Sequence, residues 1–172
     1  LARGLREDVR SLSREAARLG RQAAGSEPVH VVGAISSTGR ILGVRETPDR
    51  EVAEAFVEQA RALAEGGVDA ILLETFFELA EIELAVRTVK EAVRLPIIAS
   101  MSFDSGPQRT RTIMGAEAGE CAARLVAAGA DIVGCNCGAG PEETLPAVVA
   151  MRAGTDALLW LKPNAGFPDL EG

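Results

Sequence analysis

What most constrains this chain is an alternation of two patterns along its length. Segments with apolar residues at helical spacing are separated by short, continuous apolar runs rich in Val and Ile. Within residues 1–24, Leu5, Val9, Leu12, Ala16 and Leu19 line one side of a helix. "VHVVGAI", Val29 to Ile35, is a β-branched run and predicts a buried strand. The segment "TPDREVAEAFVEQARALAEGG" then carries helix start signals. Thr47 can cap, Pro48 suits the first turn, and Asp49 and Glu51 favour the positive end of the dipole. Gly66 or Gly67 stops it. The same alternation continues through strand "VDAILLETFF", helix "LAEIELAVRTVKEAV", strand "LPIIASMSF" and helix "GAEAGECAARLVAAG". It closes with strand "ADIVGCNC", helix "PEETLPAVVAMRA", which has Pro146 inside it, and strand "ALLWLKPNAG".

Strands that alternate with helices make a parallel sheet with crossover connections, not hairpins. One unit recurs: "ALAEGGVDAILLET" and "RLVAAGADIVGCNC" both read helix, glycine stop, Asp, apolar strand, polar end. Two architectures fit, an open doubly wound sheet or part of a (β/α)8 barrel. No G-x-G-x-x-G follows the first strand, so a dinucleotide-binding fold is disfavoured and the barrel is preferred. Five strands cannot close an eight-stranded barrel, so the expectation is an incomplete one, with residues 1–172 as a single partial domain.

Composition narrows the function. Aromatics make up only 3% and Tyr is absent, so the core is built from Ala, Val, Leu and Ile, as suits helices on a parallel sheet. A net charge of -7 repels phosphate backbones and argues against a nucleic-acid partner. No apolar run is long enough to span a membrane. The first residues alternate acid and base and lack the apolar centre of a signal peptide. Three cysteines, an odd number, do not make a secreted disulfide framework, and the expected location is the cytoplasm. The chain has no initiator Met, so it is expected to belong to a longer protein.

In either architecture ligands bind at the carboxyl ends of the strands. The polar residues there are Ser36, Ser37, Thr38 and Gly39; Glu74, Thr75 and, beside them, Phe76; Ser100, Ser102 and Asp104; Asn136 and Cys137; Lys162 and Asn164. Cys121, among helix alanines, and Cys135, in mid-strand, are expected to pack in the core. Cys137 ends its strand before Gly138 and a helix starting near Pro141, where solvent and a helix dipole favour the thiolate. Its position alone leaves a functional and a packing role both open. Glu74 suits either a ligand or a cap for the next helix. His30, the single histidine, sits at a strand start and is expected to be structural, so no Ser-His-Asp triad is available. Cys-x-Cys alone is a poor metal motif. "GAGP" could cradle a phosphate, but Glu142 and Glu143 would oppose an anion there.

Taken together, "ILLETFFEL", "VGCNCGAGPEE" and "KPNAGFP" resemble the homocysteine S-methyltransferase family, whose domain also opens the cobalamin-dependent methionine synthases. "VVGAISSTGRIL" is similar to that family's Gly-rich segment, although Ser36-Ser37 departs from its Gly-Pro. "SFDSGPQRTRTIMGAEAGECA" looks like its loop after the fifth strand. The resemblance implies a (β/α)8 barrel carrying one zinc ion, here represented by family strands three to seven. It implies that Cys137, in Gly134-Cys135-Asn136-Cys137, is a zinc ligand, and that the remaining zinc cysteines, a vicinal pair, lie outside these residues. It further implies that zinc holds the homocysteine thiol as a thiolate for methylation to methionine. Glu74 would receive the substrate ammonium, and Asn164 would stand near the metal. Homocysteine and a methyl donor are the expected partners; cobalamin or folate would enter only through other domains. These residues alone are expected to show little zinc-dependent activity, and unpaired sheet edges to invite association. The competing expectation is a non-catalytic binding or scaffold remnant without metal.

Overall fold

A computed structural model of the chain describes residues 8–40, 42 and 49–166. Leu5 and the Thr47-Pro48 start signal lie outside the described residues. The elements alternate as expected: α1 (Val9–Ala24), β1 (Val32–Ser36), α2 (Asp49–Glu65), β2 (Ala70–Phe76) and α3 (Leu79–Ala92). They continue as β3 (Ile97–Met101), α4 (Ala118–Ala128), β4 (Ile132–Cys137), α5 (Pro141–Gly154) and β5 (Leu158–Pro163). α5 runs through Pro146 without ending.

All five strands form one parallel sheet in the order β1-β2-β3-β4-β5. This order decides between the two architectures. A doubly wound sheet reverses direction at a switch point; here each strand adds beside the one before it. Successive helices pack on one another. Ile35, Leu73, Ala99 and Val133 stand at matching register and belong to the core shared with the helices. On the opposite face, Glu74 of β2 reaches Lys162 of β5 across two intervening strands. Strands lie about 4.8 Å apart, so side chains of this length meet only if that face is concave. An open, singly wound, curled sheet is consistent with an incomplete barrel.

Gly134 lets β4 and β5 approach: a Cβ there would collide with the carbonyl oxygen of Trp160, its register partner. The repeated Asp has a physical role at the opposite end of the strands. Asp69 accepts the amide of Val31 at 2.7 Å and Arg21 at 2.5 Å, while its own amide donates to the Val31 carbonyl. Asp131 does the same with Ile97 at 2.8 Å and with Lys90. Each clasp ties the start of one strand to the start of its neighbour and to the last turn of the helix before. β1 starts at Val32 and not at Val29, whose amide turns back to the Glu27 carbonyl at 2.8 Å. The Val31 amide is taken by a carboxylate, and Val29 stays exposed. His30 lies at this end too, exposed, with Nδ1 3.8 Å from Asp69, away from the strand exits.

Candidate functional site

Parallel strands alternate their side chains, so Val133, Cys135 and residue 137 should share the helix-facing side. Val133 and Cys135 do, and both are buried in the core. Burial pushes the Cys135 thiol up to about 11. Cys121, sealed in α4, is pushed up to about 12, by burial and then by the charge of Glu120. Cys137 breaks the alternation: its φ is +66, in the left-handed region that non-glycine residues seldom occupy. The sulfur leaves the core face and is half-buried beside Asn136.

A second residue of the same kind faces it. Thr75, near the end of β2, has φ +65, within a register irregularity between Leu73 and Phe76. That irregularity shifts the phase of the strand. Phe76 returns to the core against Phe56, and so is no part of the strand-exit site, while Thr75 turns toward Cys137. Each left-handed non-glycine residue costs on the order of 1–3 kcal/mol, and such strain collects at functional sites.

Asn136 holds the two together. Its Oδ1 accepts from Ser100 Oγ at 2.6 Å and from the Thr75 amide at 3.1 Å. Its Nδ2 donates to Thr75 Oγ1 at 2.7 Å and to Cys137 Sγ at 3.0 Å. Thr75 Oγ1 lies 3.7 Å from the same sulfur. Asn136 is buried with both ends of its amide engaged, which offsets the cost of burying it. Ser102 donates to the Asn136 carbonyl.

Beyond the sulfur opens a cleft of about 390 Å3, lined by Asp104, Arg109, Cys137, Gly138, Ala139 and Asn164. The Asn164 side chain donates to the Gly138 carbonyl at 2.8 Å and its amide to that of Cys137 at 3.1 Å. Cys137 and Asn164 therefore share one cleft. Glu74 does not line it: its carboxylate accepts from Lys162 Nζ at 2.7 and 3.1 Å and caps no helix. Ser37 and Thr38 turn aside to Glu81, a buried carboxylate accepting three hydrogen bonds from them. Glu81 and Arg109 were not among the residues singled out by sequence. Glu81 sits at a core position of α3, and its polarity at a buried helix face was the available signal. Arg109 is a loop residue, with no periodicity to mark it.

A metal ion would find a single soft donor here. Among the described residues no group of three or more His, Cys, Asp or Glu side chains converges. Cys121 and Cys135 are sealed on the helix side. One thiol beside an amide does not make up the three or four protein ligands that zinc takes.

A singly wound parallel sheet with helices packed along it and a polar cleft at the strand exits defines a barrel-type α/β domain. More narrowly, the chain belongs to the homocysteine S-methyltransferase family, whose profile matches residues 1–172. It is 34% identical over 139 residues to betaine–homocysteine S-methyltransferase 1 of Rattus norvegicus, a match covering 81% of this chain and 32% of that protein. It is 28% identical over 175 residues to methionine synthase of Mycobacterium leprae (strain TN), covering 95% of this chain and 14% of that one. The chain thus spans about a third or less of the length of these relatives. Among solved structures, the apo form of the homocysteine methyltransferase MmuM from Escherichia coli matches with a TM-score of 0.79 at 22% identity, over 96% of this chain and 64% of that one. The metallated form of the same enzyme matches with a TM-score of 0.72, over 91% and 59%. At such identity the likeness speaks to the fold. No helix among the described residues is long and apolar enough to cross a membrane.

Proposed function

We propose that residues 1–172 form one partial homocysteine-binding domain of a cytoplasmic enzyme that methylates the homocysteine thiol to give methionine. Cys137 then serves as one thiolate ligand of a zinc ion whose other cysteines lie outside these residues. A single observation carries this reading: strand alternation should bury the Cys137 sulfur with that of Cys135, yet a left-handed backbone brings it to the cleft beside Asn164. Family membership and relatives named for homocysteine methylation support the substrate.

The residues present divide the work of binding and orientation. Asn136 donates to the sulfur and fixes its direction; Thr75, locked by the same amide, walls the other side. Asn164 closes the cleft floor over Gly138. Glu74 lies outside that cleft, next to Thr75 at the end of β2; to receive the substrate ammonium it must turn toward the cleft and exchange or share its present cation, Lys162. The reading without metal treats the chain as a remnant that binds a small amino acid at most.

Zinc content separates the two. Metal analysis of this chain should give well under one zinc per molecule. A version extended through the next strand and helix should hold one zinc and methylate homocysteine, and Cys137→Ala in it should lose the metal. An extended protein that binds no zinc, or keeps it after Cys137→Ala, overturns the assignment.

A further inference from the structure

The cleft beside Cys137 contains two charged side chains that the reading above leaves idle. Among the described residues, neither the Arg109 guanidinium nor the Asp104 carboxylate has a hydrogen bond or ion pair, although both line the cleft. Their neighbours differ. Arg111 is occupied by the Gly115 carbonyl at 3.1 Å and by Glu117. Glu74 and Lys162 satisfy each other.

The Arg109 loop is firmly built. Ser105 and Arg111 exchange backbone hydrogen bonds in both directions, at 3.0 and 3.2 Å. Inside that closure the Arg109 amide donates to the Gly106 carbonyl, and Arg109 itself sits at φ +52. The hairpin base is tied to α4 by Ala118 N to the Thr110 carbonyl, and the buried Thr112 exchanges hydrogen bonds with Ala116 just before that helix. An arginine in a pinned turn, partnerless and on the wall of the cleft that holds the thiol, is placed to meet an anion.

We propose that Arg109 is a carboxylate anchor: it grips the carboxylate of the ligand that enters this cleft. The planar guanidinium fork matches a carboxylate in shape. A phosphate fits worse, because Asp104 shares the wall and Glu142 and Glu143 begin the adjacent helix. An amino-acid thiol and a methyl donor can each carry a carboxylate, and the anchor would serve either. Only the choice of ligand rests on the methyltransferase reading; the anchor does not.

Alkylation of Cys137 tests this, since Cys121 and Cys135 are sealed in the core. Iodoacetate carries a carboxylate and iodoacetamide does not. After dialysis against a chelator, the ratio of their rates at Cys137 is measured by peptide mass spectrometry. Arg109→Gln should lower that ratio about tenfold, the scale of one charge-assisted hydrogen bond, and Arg109→Lys should restore part of it. An unchanged ratio in Arg109→Gln overturns the anchor, whatever homocysteine does. A second arm finds the source of the carboxylate through protection against iodoacetamide. If methionine, which keeps homocysteine's carboxylate without a free thiol to consume the reagent, protects the wild type more than the Arg109→Gln variant, while 3-(methylthio)propylamine protects both alike, the anchor holds the amino acid's carboxylate. If trimethylglycine shows that difference instead, it holds the donor's. A lowered ratio with no protection by any of them keeps the anchor as a carboxylate site of the metal-free cleft, and the homocysteine reading is then decided by the zinc-loaded extended protein.

Discussion

The side chain on which the site depends most is an amide. Asn136 accepts from Ser100 and the Thr75 amide, and donates to Thr75 and Cys137, all from a buried position. It ties together the ends of β2, β3 and β4, and it stabilises two residues at positive φ. Asn136→Ala leaves the Ser100 hydroxyl and the Thr75 amide without partners, each a loss of about 1–3 kcal/mol for a buried group. The variant should unfold about 2–4 kcal/mol more easily in urea, and Cys137 should lose its fixed direction. A loss under about 1 kcal/mol would mean that water or a neighbour replaces the amide, and that the network is not what orients the sulfur. Some of this was legible in the residues and some was not. A polar Asn in the run "DIVGCNC" marks itself, and strand-end position separates Cys137 from Cys135. Nothing in residue type announces left-handed backbone at a Thr and a Cys, because tertiary contacts impose it. The pairing of Glu74 with Lys162 was equally hidden, since sheet curvature brings together groups far apart in sequence.

At the scale of elements, periodicity carried the most information. The order of helices and strands follows directly from where the apolar spacing changes, because each helix buries one stripe and the inner strands β2, β3 and β4 are covered on both faces. The recurring Asp was visible as a repeat, but its purpose needed the third dimension. Asp69 shows that purpose in its ionisation. A hydrogen bond from Arg21, then the amide of Val31, holds its carboxyl below the ordinary 3.8, against a smaller opposing effect of burial. At Asp131 burial is the larger single influence and opposes the charge, yet Lys90 and the Ile97 amide together still bring the carboxyl below its usual range. A carboxylate lowered in the folded state stabilises the fold fully above its unfolded value. The contribution is lost as pH falls through the lower folded value. Stability of the wild type should therefore fall with acid below pH 3.8, and the Asp69→Asn variant should show a shallower acid slope over the same range. Urea midpoints at a series of pH values measure this; equal slopes would remove Asp69 from the clasp between β1 and β2.

For the molecule as a whole, the described sheet has two ends and an inner face. β1 and β5 are its edge strands, and each shows backbone groups with no strand beside them among the described residues. The β5 edge is apolar as well: Leu158 is 69% exposed and Leu161 44%, with Leu145 and Val149 of α5 exposed nearby in the chain. On the other flank, Leu12 and Leu19 of α1 stand exposed. Trp160 of β5 has a buried Nε1 with no hydrogen-bond partner among the described residues. Apolar side chains along a free strand edge favour pairing with another strand, whether from the same protein or a second copy. The charge of -7 opposes self-association but is spread over the whole surface, whereas the edge is local and contiguous. The chain should therefore gain mass with concentration in sedimentation velocity between about 1 μM and 0.1 mM, the range in which open edges associate. Lysine at both Leu158 and Leu161 should hold it monomeric, because charge on an edge strand penalises a neighbouring strand without disturbing the core. A wild type that stays monomeric across that range would show that these edges do not pair with a second copy. If the double variant also associates, the contact lies elsewhere, and the α1 flank with Leu12 and Leu19 becomes the surface to change next.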